Sequence, residues 1–460
     1  MKILESKIYS IINYFINNIQ NKTDNIRKKS FFLINIDLFI LASFLLTYLT
    51  SIFCSTELIG IISLLPIMLV VLKVCISKGE KIELDHCNFY ILIYLLICFI
   101  TNFTSSMPIQ SLYGFMKTFI YISFYFALCQ FLKTNKKRIT ALICFICVLV
   151  SFESIVGIFQ NIFGVESIST WQDTSYVNPE DVISRVYGTL KPYNPNLLGG
   201  YLIAGVSCVI GVFSLLLAKI KKNKWNRYII IPSFIAIFIS FLAIFLTGCR
   251  GAYVALFTMI LAYIIASFRI VFFDIDIEKL KLIWKSAFAV FCTSAVGFLA
   301  LNHAIFQRLM SIFILRGDSS TSFRINVYNS AVQMFQDNWL YGIGVGNKVF
   351  REIYGLYMLS GFDALSCYCV FLEMAVESGI LSLIAYILFL YVLLSSAIKC
   401  FIISKELSDK ILLTVGFAAI IGVMVHGFVD TIYFRPQVQY IFWTMAAIIT
   451  VLVRDNKVEE

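Results

Sequence analysis

Between Arg308 and Gly379 the chain reads RLMSIFILRGDSSTSFRINVYNSAVQMFQDNWLYGIGVGNKVFREIYGLYMLSGFDALSCYCVFLEMAVESG. Long apolar runs dominate the rest of the sequence, but here the hydropathy collapses and Arg, Asp, Asn, Ser and Gly accumulate. The stretch carries five basic residues, Arg308, Arg316, Arg324, Lys348 and Arg351. It also contains a helix-like amphipathic run and the glycine cluster GIGVGN, Gly342 to Asn347. A polar segment of this length between hydrophobic spans reads as a working part held outside the membrane.

Composition supports that frame. Of 460 residues, 60% are apolar and only 14% charged, whereas soluble domains carry about 25% charged residues. The fold class is therefore all-α and polytopic, an integral membrane protein. A net charge of +10 does not indicate nucleic acid, because most Lys and Arg sit in short connections, where they set orientation. Most of the thirteen cysteines lie inside apolar spans. The CxxC of Cys144 and Cys147 has no second pair or nearby His and reads as buried structure rather than a metal site. The basic N-terminal region leads into a span too long for the apolar core of a cleavable signal peptide.

Apolar runs of about 20 residues cross a bilayer, and twelve are expected, over 31–53, 57–77, 88–105, 108–132, 140–164, 195–218, 228–247, 251–271, 285–304, 366–397, 411–432 and 437–453. The chain divides into a basic cytoplasmic segment, 1–30, and nine helices within 31–304. A long extracytoplasmic loop follows at 305–365, then three helices within 366–453 and a cytoplasmic tail, 454–460. With both termini inside, all but ten of the 37 basic residues fall on the cytoplasmic side, as the positive-inside rule requires. The ten exceptions are the five in the long loop together with Lys117, Arg185, Lys191, Arg250 and Arg435. They oppose the usual bias, so something other than topology retains them.

Four outer patches carry candidate chemistry. In RVYGTLKPYNPNLLGGYL, Arg185 and Lys191 place positive charge at a helix N-terminus, a natural anion site, and Asn196 is a candidate cap. In TGCRGAYVAL, Arg250 stands between glycines at the membrane edge, where an arginine is costly unless paired, snorkelling or facing a polar cavity. In the long loop, Arg324 lies near the start of a helix with apolar Ile325, Val327, Val332 and Phe335. A cation there opposes the macrodipole and needs another reason, such as an anion. GIGVGN reads as a tight turn, since no strand or βαβ unit accompanies it. Glu373 and Glu377, four apart on one helical face, are carboxylates just inside the membrane that pair with a cation or serve as a base. His426, Asp430 and Arg435 form a smaller group at the last outer turn, with His426 and Asp430 expected on one helical face. Arginine forks suit carboxylate and phosphate-type anions, and these residues leave open whether such an anion reacts or passes through.

The ordered set of NPN before a span, TGxRGA between spans, the D-S-S…F-R-I-N helix, G-I-G-x-G-N and L-E…V-E-S-G resembles the O-antigen ligase and polymerase superfamily. Within it, ALSCYCVFLE and HGFVDTIYFRPQVQ are most similar to the branch named for inorganic carbon (bicarbonate) transporters. The resemblance implies a GT-C-like membrane glycosyltransferase in the bacterial inner (plasma) membrane, serving cell-envelope polysaccharide or lipopolysaccharide biosynthesis. Its donor would be a polyprenyl-diphosphate-linked glycan and its acceptor a lipid or glycan on the outer face, with no cofactor, nucleotide sugar or metal. By the same resemblance Arg185, Arg250 and Arg324, with Lys191, would hold the diphosphate, and Asn196, Glu377, His426, Asp430 and Arg435 would support the site. Ligases of the family carry a histidine in an H-N-x-Y-L-like motif at the end of the long loop, and that position here is Tyr368, followed by Cys369. Tyr368 and Glu373 are therefore the candidate catalytic residues. Transport of bicarbonate or another small anion, and a non-catalytic role in envelope assembly, are the alternatives.

Overall fold

A computed structural model describes residues 13–14, 16–21, 30–78, 80–82, 86–133, 135–164, 185–219, 224–275, 277–301, 319–359 and 363–458. Arg308, Arg316, Asp318 and most of the basic N-terminal segment lie outside the described residues.

Each expected span coincides with a helix. In chain order these are α1 (Ile36–Phe53), α2 (Thr56–Ile76), α3 (His86–Thr104), α4 (Pro108–Leu132), α5 (Lys136–Phe163), α6 (Pro195–Ala218), α7 (Lys224–Leu246), α8 (Arg250–Arg269) and α9 (Glu278–Leu301). The polar stretch holds α10 (Ser319–Asp337) and α11 (Asn347–Tyr354), and α12 (Val370–Ile403), α13 (Leu407–His426) and α14 (Pro436–Val458) complete the chain. No strand occurs among the described residues. Ten of the helices are long and apolar enough to cross a membrane, and Asn88–Thr104 adds a shorter apolar helix. The protein is an all-α, multi-pass membrane protein.

Burial ranks the helices. The apolar window of α14 is 100% buried inside the protein, against 22% for that of α7 and 17% for that of α8. A helix that is apolar all round belongs in a core or against lipid; α14 takes the first place and α7 and α8 the second. Within lipid, packing and inter-helix hydrogen bonds replace the hydrophobic effect as the adhesive. Around α14 those bonds run from Thr444 to the Tyr48 hydroxyl and from Thr450 to the Tyr125 hydroxyl, the latter at 2.9 Å.

The polar stretch builds its own apolar core. Val327, Ala331 and Met334 of α10 are fully buried with Ile343, Val349, Phe350, Tyr354 and Cys367. The buried stripe of α10 matches the expected one in part: Val327 faces inward and Phe335 packs against the same core, whereas Ile325 and Val332 are 46% and 42% exposed. Small Ala331 and flexible Met334 occupy the face that packs.

α12 is broken where the glycine cluster enters it. Gly379 has φ 77° and ψ 175° inside the helix. The carbonyls of Val376 and Glu377 are thereby freed from the helical ladder, and they accept from Ile343 N–H at 2.9 Å and Gly344 N–H at 3.0 Å. Ile380 N–H donates in turn to Trp339 O at 2.8 Å. GIGVG is therefore a bent segment docked through its backbone on α12 and not an isolated tight turn. Backbone that leaves helical geometry at membrane depth must find new partners inside the protein, and this exchange supplies them. The approach demands glycine on both sides: a Cβ on Gly342 would lie 2.3 Å from Glu377 O, and one on Gly379 would lie 2.1 Å from Leu340 O.

Candidate functional site

The segment after residue 184 is pinned by α5. Gln160 Oε1 accepts from Tyr187 N–H at 3.0 Å and Gly188 N–H at 2.8 Å, and Gln160 Nε2 donates to Gly188 O at 2.9 Å. Glu153, fully buried, accepts from Thr189 N–H at 3.0 Å and from the Thr189 hydroxyl. A buried carboxylate needs donors, and here a loop backbone provides them. The result is a fixed position for Arg185, two residues before Tyr187.

Arg185 reaches two ways. Its Nε donates to Thr247 O at 2.9 Å, three residues ahead of Arg250 in the turn between α7 and α8, and its terminal nitrogen donates to Asn196 Oδ1. Asn196 Nδ2 then donates to Asp430 Oδ2 at 3.0 Å. The same Asp430 oxygen lies 4.0 Å from an Arg324 terminal nitrogen. Asn196 and Arg324 thus meet on one carboxylate, and Arg185 and the α7–α8 turn are linked to it through Asn196. Asn196 is not the cap of α6; Asn194 is, with its Oδ1 accepting from Asn196 N–H at 2.8 Å and Pro195 at the first helical position. That arrangement leaves the Asn196 side chain for the two charges. Asp430 does not share a helix face with His426, because α13 ends at His426 and Asp430 lies in the following turn.

Arg250 opens α8 with Cys249 as its N-cap residue and is half-buried. His426 Nε2 lies 3.3 Å from Cys249 Sγ, so the end of α13 packs beside the start of α8. Burial lowers the Arg185 guanidinium from its ordinary value and neighbouring Arg324 acts in the same direction, while Asp430 opposes both. An arginine nevertheless stays charged, since its reference value lies above 12. Cations held close together around one carboxylate present surplus positive charge, the property that attracts a polyanion.

Tyr368 joins this network through Arg324, whose guanidinium lies 5.7 Å from its ring centroid, within cation–π range. Phe323 packs edge-on against the same ring and Tyr328 Oη donates to Tyr368 O at 3.2 Å. The Tyr368 backbone is left-handed, with φ 54°, and burial, then Asp430, raises its phenol above the ordinary tyrosine value. It is a poor base and a good platform.

Glu373 and Glu377 occupy a different place. Glu373 accepts from Cys367 N–H at 3.0 Å, holding the turn that presents Tyr368. Both carboxylates line a cavity of about 110 Å³ bounded by α3, α4, α12, α14 and the Gly346–Lys348 backbone. Lys117 and Lys348 lie on the same cavity, with their ammonium groups 4.9 and 5.9 Å from the Tyr113 ring centroid. The sequence marks both as outer cations without a role; the position of Lys117 within an apolar helix is the signal that they serve a site. Arg435 is exposed and acts electrostatically on Lys117 and Glu373. Lys191 is exposed, and its carbonyl accepts from Gln437 Nε2 at 3.2 Å. Among the described residues, the Asp430 network is joined by Arg185 and Arg324 rather than by these two cations.

Residues 235–387 match the family model described as O-antigen ligase. The match spans the turn bearing Arg250, the α10 arginine, the glycine insertion and both glutamates, and it supports the ligase and polymerase superfamily. Arg185, Asn196 and Asp430 lie beyond its ends, and the fold brings them to it. Comparison with curated proteins returned no match.

Proposed function

We propose that this O-antigen ligase-like membrane protein transfers a glycan from a polyprenyl-diphosphate carrier to a lipid or glycan acceptor at the outer face of the bacterial inner membrane. One observation carries the reading: Arg185 and Arg324, far apart in sequence, converge through Asn196 and Asp430 at the turn that bears Arg250.

The acceptor hydroxyl attacks the anomeric carbon of the carrier-linked sugar. The new C–O bond forms as the bond to the diphosphate oxygen breaks, and that oxygen keeps the electron pair. Arg185, Arg250 and Arg324 stabilise the charge that gathers there. Fixed cations aimed at a departing oxyanion act most strongly in the transition state. The hydroxyl proton passes to Glu373, which faces the cavity beside the network. Tyr368 holds the Arg324 guanidinium in place, a positioning role suited to a phenol that stays protonated.

The test is a reconstitution in liposomes with carrier-linked glycan and crude envelope acceptor, scoring released carrier. Arg250→Ala and Arg324→Ala should each lower release by at least about 100-fold, the usual scale for removing one charge-stabilising donor, while inserting and folding normally. Near-normal release from both variants would refute the assignment. The family match favours this reading over inorganic anion transport.

A further inference from the structure

The glutamate-lined cavity shares no residue with the Asp430 network, so it needs its own explanation. Glu377 is 6% exposed, and its Oε1 has no hydrogen-bond partner. A buried carboxyl oxygen left without a donor is costly, and it borders a space that admits a ligand. Around it stand the buried rings of Tyr94, Tyr121, Tyr433 and Trp443, and across the cavity stand Lys117 and Lys348.

This lining selects a class of ligand. An apolar molecule would leave the Glu377 oxygen unsatisfied. A small inorganic anion would face two carboxylates. A bound metal ion would want more ligands than are there, since no group of three or more His, Cys, Asp or Glu side chains gathers among the described residues. A sugar ring meets every part of the wall: hydroxyl donors for Glu377, apolar C–H faces for the aromatic rings, and acceptor oxygens for the lysines. Pockets built this way, mostly aromatic with a few placed polar groups, fix orientation as well as affinity.

We propose that this cavity is a saccharide subsite for one sugar residue of the acceptor, an inference that rests on the glycan-transfer reading and deepens it. Its independence from the arginine network assigns it to the acceptor rather than the donor. Glu373, which lines it, then stands where the acceptor hydroxyl arrives.

The experiment is ligand-observed NMR on the purified full-length protein in detergent, with methyl glycosides of glucose, galactose, mannose and N-acetylglucosamine as probes. At least one glycoside should bind saturably to the wild type. Its affinity should fall at least 10-fold in Glu377→Leu and in Lys348→Ala, the latter a substitution at an exposed position that spares the fold. Arg324→Ala should bind it normally while losing carrier release, which separates failure of the subsite from failure of the transfer reading. Saturating polyprenyl-diphosphate-linked glycan should leave binding unchanged. Binding of none of the four, or equal binding by wild type and both cavity variants, would overturn the subsite. Displacement by the carrier-linked glycan would overturn its assignment to the acceptor.

Discussion

Replacing Gly379 with Ala tests whether the break in α12 is built in or incidental. At φ 77° and ψ 175°, a non-glycine residue occupies a region that costs about 1–3 kcal/mol. The new Cβ would also lie 2.1 Å from Leu340 O and 2.5 Å from Leu340 C. Both are backbone atoms that cannot swing aside. The insertion must therefore retreat, weakening the bonds from Ile343, Gly344 and Ile380, each worth about 1 kcal/mol net. Strain and lost bonds together amount to about 4 kcal/mol. At about 2 °C per kcal/mol for a large chain, thermal unfolding in detergent should fall by about 8 °C. Gly60→Ala is the control: a Cβ there meets nothing within 4 Å, and alanine favours a helix interior over glycine by about 0.8–1 kcal/mol. That variant should match or slightly exceed the wild type. If Gly379→Ala is equally stable, or more stable because α12 straightens, the account of the insertion is wrong.

Three further predictions concern the arginine network and its supports. Asp430→Ala removes the acceptor shared by Asn196 and Arg324 and should cost about 2 kcal/mol, the scale of hydrogen bonds to a charged group; chemical denaturation in detergent reads it, and an unchanged midpoint would refute the role of Asp430 as hub. Glu153→Ala leaves the Thr189 N–H without its acceptor and should cost about 2–3 kcal/mol, with carrier release falling because Arg185 loses its fixed loop. Full release at normal stability would show that α5 does not position Arg185. Tyr368→Phe should keep release within about 3-fold of wild type, with the same pH profile from about pH 6 to 9, because a phenol raised above its reference value near 10 stays neutral throughout that range. Tyr368→Ala should reduce release at least about 10-fold by freeing Arg324, roughly the loss of a desolvated cation–π contact; a pH profile altered in Tyr368→Phe would instead make the phenol a proton carrier.

The fold was legible because its signals are long: of the twelve expected runs, ten fall on helices long and apolar enough to cross a membrane among the described residues. Local chemistry was legible less often. In NPN the expected cap is Asn196, but Asn194 caps while Asn196 bridges Arg185 to Asp430. Pro195 settles the choice, since proline favours the first helical position and makes the residue before it the cap. His426 and Asp430 are four apart, but Gly427 ends the helix between them. The clamp of Gln160 and Glu153 on the 187–189 backbone was beyond reach. Its bonds go to main-chain atoms, which leave no pattern in side-chain spacing. Half of the α10 stripe, Val327 and Phe335, packs as expected; Ala331 and Met334 carry less apolar weight than Ile325 and Val332, yet fit the space available.

The break at Gly379 also links the two halves of the proposed mechanism. Glu377 is the last residue but one before the break, and its carbonyl holds Gly344 while its side chain lines the cavity. One turn earlier, Glu373 holds Cys367, and through it the turn that places Tyr368 under Arg324. A continuous helix would retain the Glu377 carbonyl in its own ladder and leave the glycine segment without a dock. The cavity floor and the arginine platform are therefore set by one rigid segment, Val370 to Ser378, fixed at its end by backbone bonds. A donor bound at the arginines and an acceptor sugar bound at Glu377 would be held in fixed relation by that segment. Orientation of two reactants is worth several kcal/mol of barrier, and the proposed transfer would draw on it.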